Sequence, residues 1–174
     1  MVKLSNGTYM PLDPTWVPFC RELWSSAEQQ QNYLPGVPEG SDLCITPVSA
    51  PENHYVRIKA DNRLDADGTL RGTFTLTAEG QSDSNIRRIF TTGFQSEWKS
   101  TMERQLLAIS PKARLLSVDY GKNPKDYQAA PIKITFRYEI PDYALRGEGE
   151  MFFRPMVMNN LYNQVRSYIW IDTS

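Results

Sequence analysis

From Asn53 onward, apolar and polar residues alternate with the two-residue period of a strand whose two faces meet different surroundings. Val56, Ile58 and Ala60 alternate with Arg57 and Lys59. Leu70, Gly72, Phe74, Leu76 and Ala78 alternate with Arg71, Thr73, Thr75 and Thr77. Between the two runs lies Asp65-Ala66-Asp67-Gly68, whose Asp-Gly pair supplies the positive φ of a hairpin turn. A β-hairpin is predicted. The best strand pattern is Ile132–Ile140, where Ile132, Ile134, Phe136, Tyr138 and Ile140 alternate with Lys133, Thr135, Arg137 and Glu139. Arg114–Tyr120 reads as a strand with Leu116, Val118 and Tyr120 on one face, and Arg146–Arg154 as a return antiparallel to Ile132–Ile140.

Between these runs the period lengthens. Gly80 breaks the strand, Ser82-Asp83-Ser84 offers helix-capping oxygens, and Ile86, Ile89 and Phe90 follow at helical spacing. Phe94, Trp98, Met102 and Leu106 recur every fourth residue as one apolar stripe, which Pro111 ends. Two helices are predicted, at 83–92 and 95–108. Short connections between alternating strands imply an antiparallel sheet with one wet face. The predicted fold class is α+β, mainly antiparallel β: a sandwich-like sheet with both helices packed on one face.

The first fifty residues lack this periodicity. They hold six of the twelve prolines (Pro11, Pro14, Pro18, Pro35, Pro38, Pro47). Thr8–Leu12 follows an Asn6–Gly7 turn, Asp42–Val48 reads as a short strand, and Arg21–Asn32 has helical residues without an apolar stripe. The expected division is a strap over 1–50 and a β-rich domain over 51–174.

Composition narrows the function classes. Nineteen Lys and Arg against twenty Asp and Glu give a formal charge of −1 and a pI near 5.9, so no basic excess points to nucleic acid. No apolar run approaches the length of a membrane span. One histidine rules out any metal site or mechanism that needs two from this chain.

Cys20 and Cys44 are the two cysteines, and sequence leaves open whether they form a disulfide or remain thiols. A nucleophilic site could combine either cysteine with His54 and Asp13 or Asp61. Nothing around either cysteine marks a strained turn or a helix N-terminus that would lower a thiol pKa. Asp61, Asp65 and Asp67 have calcium-loop chemistry, but the further alternate ligand and the closing glutamate are missing, so a hairpin turn accounts for Asp67-Gly68. No metal and no cofactor is expected. Arg87, Arg88 and Arg104, interspersed with Glu97 and Glu103, read as a solvated helix face. Trp98 belongs to the helix stripe. Trp16 and Trp24 suit stacking on an adjoining domain, or a sugar.

The segment Asn6-Gly7-Thr8-Tyr9-Met10-Pro11-Leu12-Asp13-Pro14-Thr15 resembles the end of a bacterial transglutaminase-like, papain-related domain. Tyr33-Leu34-Pro35 and Gly40-Ser41-Asp42-Leu43-Cys44-Ile45 resemble the loop and strand that leave that domain. Leu70-Arg71-Gly72, Glu79-Gly80 and Ser84-Asn85-Ile86-Arg87 are similar to the accessory module of unknown function that follows it in large exported bacterial proteins.

The resemblance implies that Asp13 matches the aspartate of a Cys-His-Asp triad whose other members lie upstream. It also implies a periplasmic or extracellular location. His54 lies downstream of Asp13, the wrong order for the family, so Asp13 has no histidine to orient and is expected to be inactive here. The chain is expected to be a piece of a larger protein and not itself an enzyme. Its expected role is that of a non-catalytic accessory or interaction domain that positions the catalytic domain or binds a protein or peptide. Two other classes stay open: a stand-alone carbohydrate- or peptide-binding module, and a small cysteine hydrolase using Cys20 or Cys44 with His54.

Overall fold

The computed structural model describes residues 2–12, 28–128 and 131–155. Two short ribbons come first. β1 (Val2–Lys3) pairs antiparallel with β2 (Tyr9–Met10) across the Asn6–Gly7 turn, and β3 (Asn32–Tyr33) pairs with β4 (Cys44–Ile45). The main sheet follows. β5 (Tyr55–Leu64) and β6 (Leu70–Glu79) form the long hairpin, and the chain crosses through α1 (Gly80–Thr92), a 3₁₀ turn (Gln95–Glu97) and α2 (Trp98–Leu107). It returns as β7 (Arg114–Asp119) and β8 (Ile132–Ile140), giving an antiparallel sheet of order β5-β6-β8-β7. A last ribbon joins β9 (Leu145–Arg146) to β10 (Met151–Phe152).

Register explains the core. Across β6 and β8 the partners are Leu70–Ile140, Phe74–Phe136, Leu76–Ile134 and Ala78–Ile132, all buried. Phe74 and Phe136 stack with ring centroids 4.3 Å apart, and Tyr138 meets Phe74 edge-on. Ile86 and Phe90 of α1, with Trp98, Met102 and Leu106 of α2, close over this face. Each fully buried aromatic or branched side chain contributes about 1.5–3 kcal/mol. The fold is α+β: a mainly antiparallel sheet with two helices on one face.

Four expectations need correction. Residues 82–84 do not cap α1. The helix starts at Gly80, and Ser82, Asp83 and Ser84 are buried within its first turns. Phe94 is exposed, because the 3₁₀ turn delays α2 until Trp98 and rotates Phe94 off the stripe. In β7 the register shifts between Leu115 and Ser117, so Leu115 packs on the core while Leu116 turns to solvent. Arg146–Arg154 does not return along β8. Asp142, at φ +50°, turns the chain away after Pro141, and β9 pairs with β10 instead.

Among the described residues, none in the central apolar cluster, or packed against it, precedes Ile58. The described part of residues 2–50 is held mainly by backbone and polar side-chain bonds, such as Gln30 N–H to the Thr46 carbonyl and the Ser49 N–H to Gln29 Oε1.

Candidate functional site

His54 stands at the end of a 3₁₀ turn (Pro51–Asn53), directly before β5. Its Nδ1 accepts a hydrogen bond from the Gln81 backbone N–H at 3.1 Å, satisfying a donor in the first turn of α1. That acceptance puts the ring proton on Nε2, which donates to Ser49 Oγ at 2.6 Å. Glu79, at the N-cap position, makes no side-chain capping bond, so this remote imidazole is the cap. Gly80 makes the approach possible. Its φ of +60° suits glycine, and a Cβ there would overlap the Asn53 carbonyl and His54 Nδ1.

Cys44 lies elsewhere in the hydrogen-bond network. Its free thiol is half-buried on β4, 3.8 Å from Ser41 Oγ and 3.6 Å from the Asp42 carbonyl. Nδ1 of His54 is therefore committed to helix α1, and the bonds of Cys44 stay within its own loop. Asp61 sits in the exposed part of β5, paired with Thr73. Asp13, Cys20, Trp16 and Trp24 lie outside the described residues.

The arginines separate. Arg87, expected on a solvated face, is buried and forms an ion pair with Asp83 at 2.7 Å. Its Nη1 donates to the carbonyls of Pro124 and Asp126, while Asp83 Oδ1 accepts the Ile132 N–H at 2.6 Å. This pair fastens α1 to the β7–β8 connection and to the start of β8. Arg104 remains exposed and bonds Thr101 Oγ1.

The hairpin turn is occupied by its own bonds. Gly68 takes φ +81°, its N–H donates to the Asp65 carbonyl, and Thr69 N–H donates to Asp67 Oδ1. Hydrogen bonds from Arg63 and then Arg71 hold the Asp65 carboxyl below the usual range, and the Thr69 backbone N–H does the same for Asp67. Among the described residues no group of three or more His, Cys, Asp or Glu is arranged to hold a metal ion.

Two surface features stand out. Between Leu34 and Val48 the chain exposes four large apolar side chains: Leu34 (67%), Leu43 (71%), Ile45 (66%) and Val48 (60%). A cavity of about 260 Å³ opens between the start of α2 and the loop after β7. Gln95, Trp98, Tyr120 and residues 121–125 line it.

Trp98 is 7% exposed and packs edge-on against Phe90 and Tyr120, at 5.1 and 5.5 Å. Its indole N–H is buried without an acceptor among the described residues. Burial, and then the charge of Glu103, raise the Tyr120 phenol above its ordinary value. The every-fourth-residue stripe identified Trp98 as core, but nothing local foretold its unpartnered donor.

Compared with family models, with curated proteins and with solved structures, the chain matches none. No helix among the described residues is long and apolar enough to cross a membrane.

Proposed function

We propose that this chain is a non-catalytic accessory domain of a transglutaminase-like, papain-related protein, and that it docks on the catalytic domain and positions it. The observation that carries the reading is the exposure of Leu34, Leu43, Ile45 and Val48. Large apolar side chains concentrated on one surface segment mark a surface that a partner covers. Leu34, Leu43 and Ile45 lie in the stretches that resemble the chain leaving such a catalytic domain, so that domain is the partner of choice. The hydrogen bonds of His54 support the non-catalytic part: a base whose Nδ1 caps a helix is not free at that atom to take a proton from a nucleophile. The parent's location, on this reading, is periplasmic or extracellular.

The test is association with the transglutaminase-like domain of the parent protein, expressed separately and followed by calorimetry. Binding is expected, and Leu43→Asp with Ile45→Asp is expected to weaken it at least tenfold. Both side chains are exposed, so the variant keeps its fold. Binding unaffected by the double variant overturns the docking surface.

A further inference from the structure

We infer that the outer edge of β5 pairs antiparallel with the same edge of a second copy of this chain, with the two-fold axis at Asn62. The hairpin fixes which groups this edge presents. Asp65 N–H donates to the Thr69 carbonyl, so the bonds of Asp65 point toward β6, and the register from Leu64–Leu70 to Tyr55–Glu79 is unbroken. Antiparallel ladders alternate, so Arg63, Asp61 and Lys59 also bond to β6, while Leu64, Asn62 and Ala60 turn their N–H and C=O groups outward. Among the described residues no strand pairs with that side, and every residue from Lys59 to Arg63 is exposed. A row of outward backbone donors and acceptors is complementary to another extended strand.

The two edges of the sheet differ. β7 is six residues long and its register shifts between Leu115 and Ser117, which blunts an edge. β5 is ten residues long, without bulge or proline. Its charges select a second copy as the partner. Ile58 and Leu64 pack toward the core, so Lys59, Asp61, Arg63 and Asp65 share the opposite face, where Arg63 and Asp65 meet at 2.7 Å. Among the described residues neither Lys59 nor Asp61 has an ion-pair partner. Plus, minus, plus, minus is its own complement when laid antiparallel. Centring on Asn62 sets Lys59 against Asp65 and Asp61 against Arg63, each pair formed twice by symmetry. These are non-hydrogen-bonded positions, where facing side chains come closest. The outward groups of Ala60 meanwhile meet those of Leu64, and Asn62 meets Asn62. Sliding by two residues either way sets Asp61 against Asp61 or Arg63 against Arg63, and sliding by one sets the charges beside the apolar face.

The experiment is sedimentation equilibrium of the intact chain, from micromolar to millimolar concentration, with a thiol reductant present. The mass is expected to rise from 20.0 kDa toward twice that value. Ala60→Pro removes an outward N–H, a change that an edge strand tolerates, and is expected to weaken association at least tenfold. Two charge variants at exposed side chains test the register. Asp61→Lys sets Lys against Arg63, and Arg63→Asp sets Asp against Asp61, so each chain alone is expected to associate at least tenfold more weakly. An equimolar mixture of the two restores every opposite-charge pair and is expected to associate like the unaltered chain.

Three results overturn the inference. One is an unaltered chain that stays at 20.0 kDa throughout the concentration range. Another is a folded Ala60→Pro variant that associates as strongly as the unaltered chain, which moves the interface off β5. The third is a mixture of the two charge variants that associates no better than either alone, which removes the pairing of Asp61 with Arg63. None of these outcomes depends on the docking surface around Leu43 and Ile45.

Discussion

Asp83 and Arg87, one helical turn apart in α1, form an ion pair at 2.7 Å with side chains 0% and 2% exposed. Such a pair is costly to break because the surviving charge stays buried. Asp83→Ala and Arg87→Ala are each expected to destabilise the fold by about 3–5 kcal/mol in urea denaturation. The double variant Asp83→Leu/Arg87→Met should lose less than the sum of the two single changes. A single-variant loss below about 1 kcal/mol, the size of an ordinary substitution, contradicts this role.

The cap on α1 makes a second pair of predictions. His54→Ala removes the acceptor for the Gln81 N–H and is expected to cost about 1 kcal/mol, as loss of an N-cap does. Gly80→Ala is expected to cost more, since it combines a positive φ with overlap against Asn53 and His54. Thermal unfolding of both variants checks the order, and a Gly80→Ala variant as stable as the unaltered chain contradicts the geometry.

The thiol of Cys44 separates the structural reading from a hydrolase. With Nδ1 of His54 bonded to Gln81 and Cys44 bonded to Ser41 and Asp42, His54→Ala should leave the labelling rate of Cys44 unchanged within about twofold under conditions where the fold persists. The measurement uses a Cys20→Ala background and a thiol-directed reagent. A labelling rate that collapses with His54→Ala would make the imidazole an activating base.

Tyr138 predicts an alkaline limit. Burial pushes its phenol up to about 12 from the ordinary 10.0, although the bond to Asn62 Oδ1 at 2.5 Å pulls the other way. The unfolded chain releases this proton near 10, whereas the folded chain holds it to about 12. Across that window the unfolded state binds fewer protons, so stability falls as pH rises. Burial raises Tyr120 and Tyr143 as well, and they add in the same direction. Tyr138→Phe should flatten the decline in melting temperature above pH 10, and an unchanged slope contradicts the assignment.

The legible parts of the fold were the ones that local pattern dictates. β5, β6 and β8 follow from strict alternation and a turn with Asp-Gly, and both helices follow from their spacing. The β7 bulge was not legible, because whether Leu115 or Leu116 faces the core is set by the register against β8. The cap on α1 was hidden for a similar reason: His54 reaches it from 27 residues away. Asp83 and Arg87 did carry an i,i+4 signal, but reading Asp83 as a capping residue concealed it. The cavity beside α2 was invisible in sequence, since Gln95, Trp98 and Lys125 converge only once α2 and the β7–β8 loop are packed.

Gly72 shows how a strand glycine can serve a distant bond. It pairs with Asn62 on one side and Tyr138 on the other, and its missing side chain lets the phenol cross β6 to reach Asn62. A Cβ at Gly72 would overlap Asn62 Oδ1 and the Asp61 carbonyl. Gly72→Val is expected to destabilise the domain by about 1–3 kcal/mol despite the β-propensity of valine, checked by urea denaturation. A gain in stability contradicts the bridge.

The docking role rests most directly on one binding measurement. Calorimetric titration of this chain into the separately expressed transglutaminase-like domain should show one-to-one association, weakened at least tenfold by Leu43→Asp with Ile45→Asp. No association with the wild-type chain, both proteins being folded, contradicts the account.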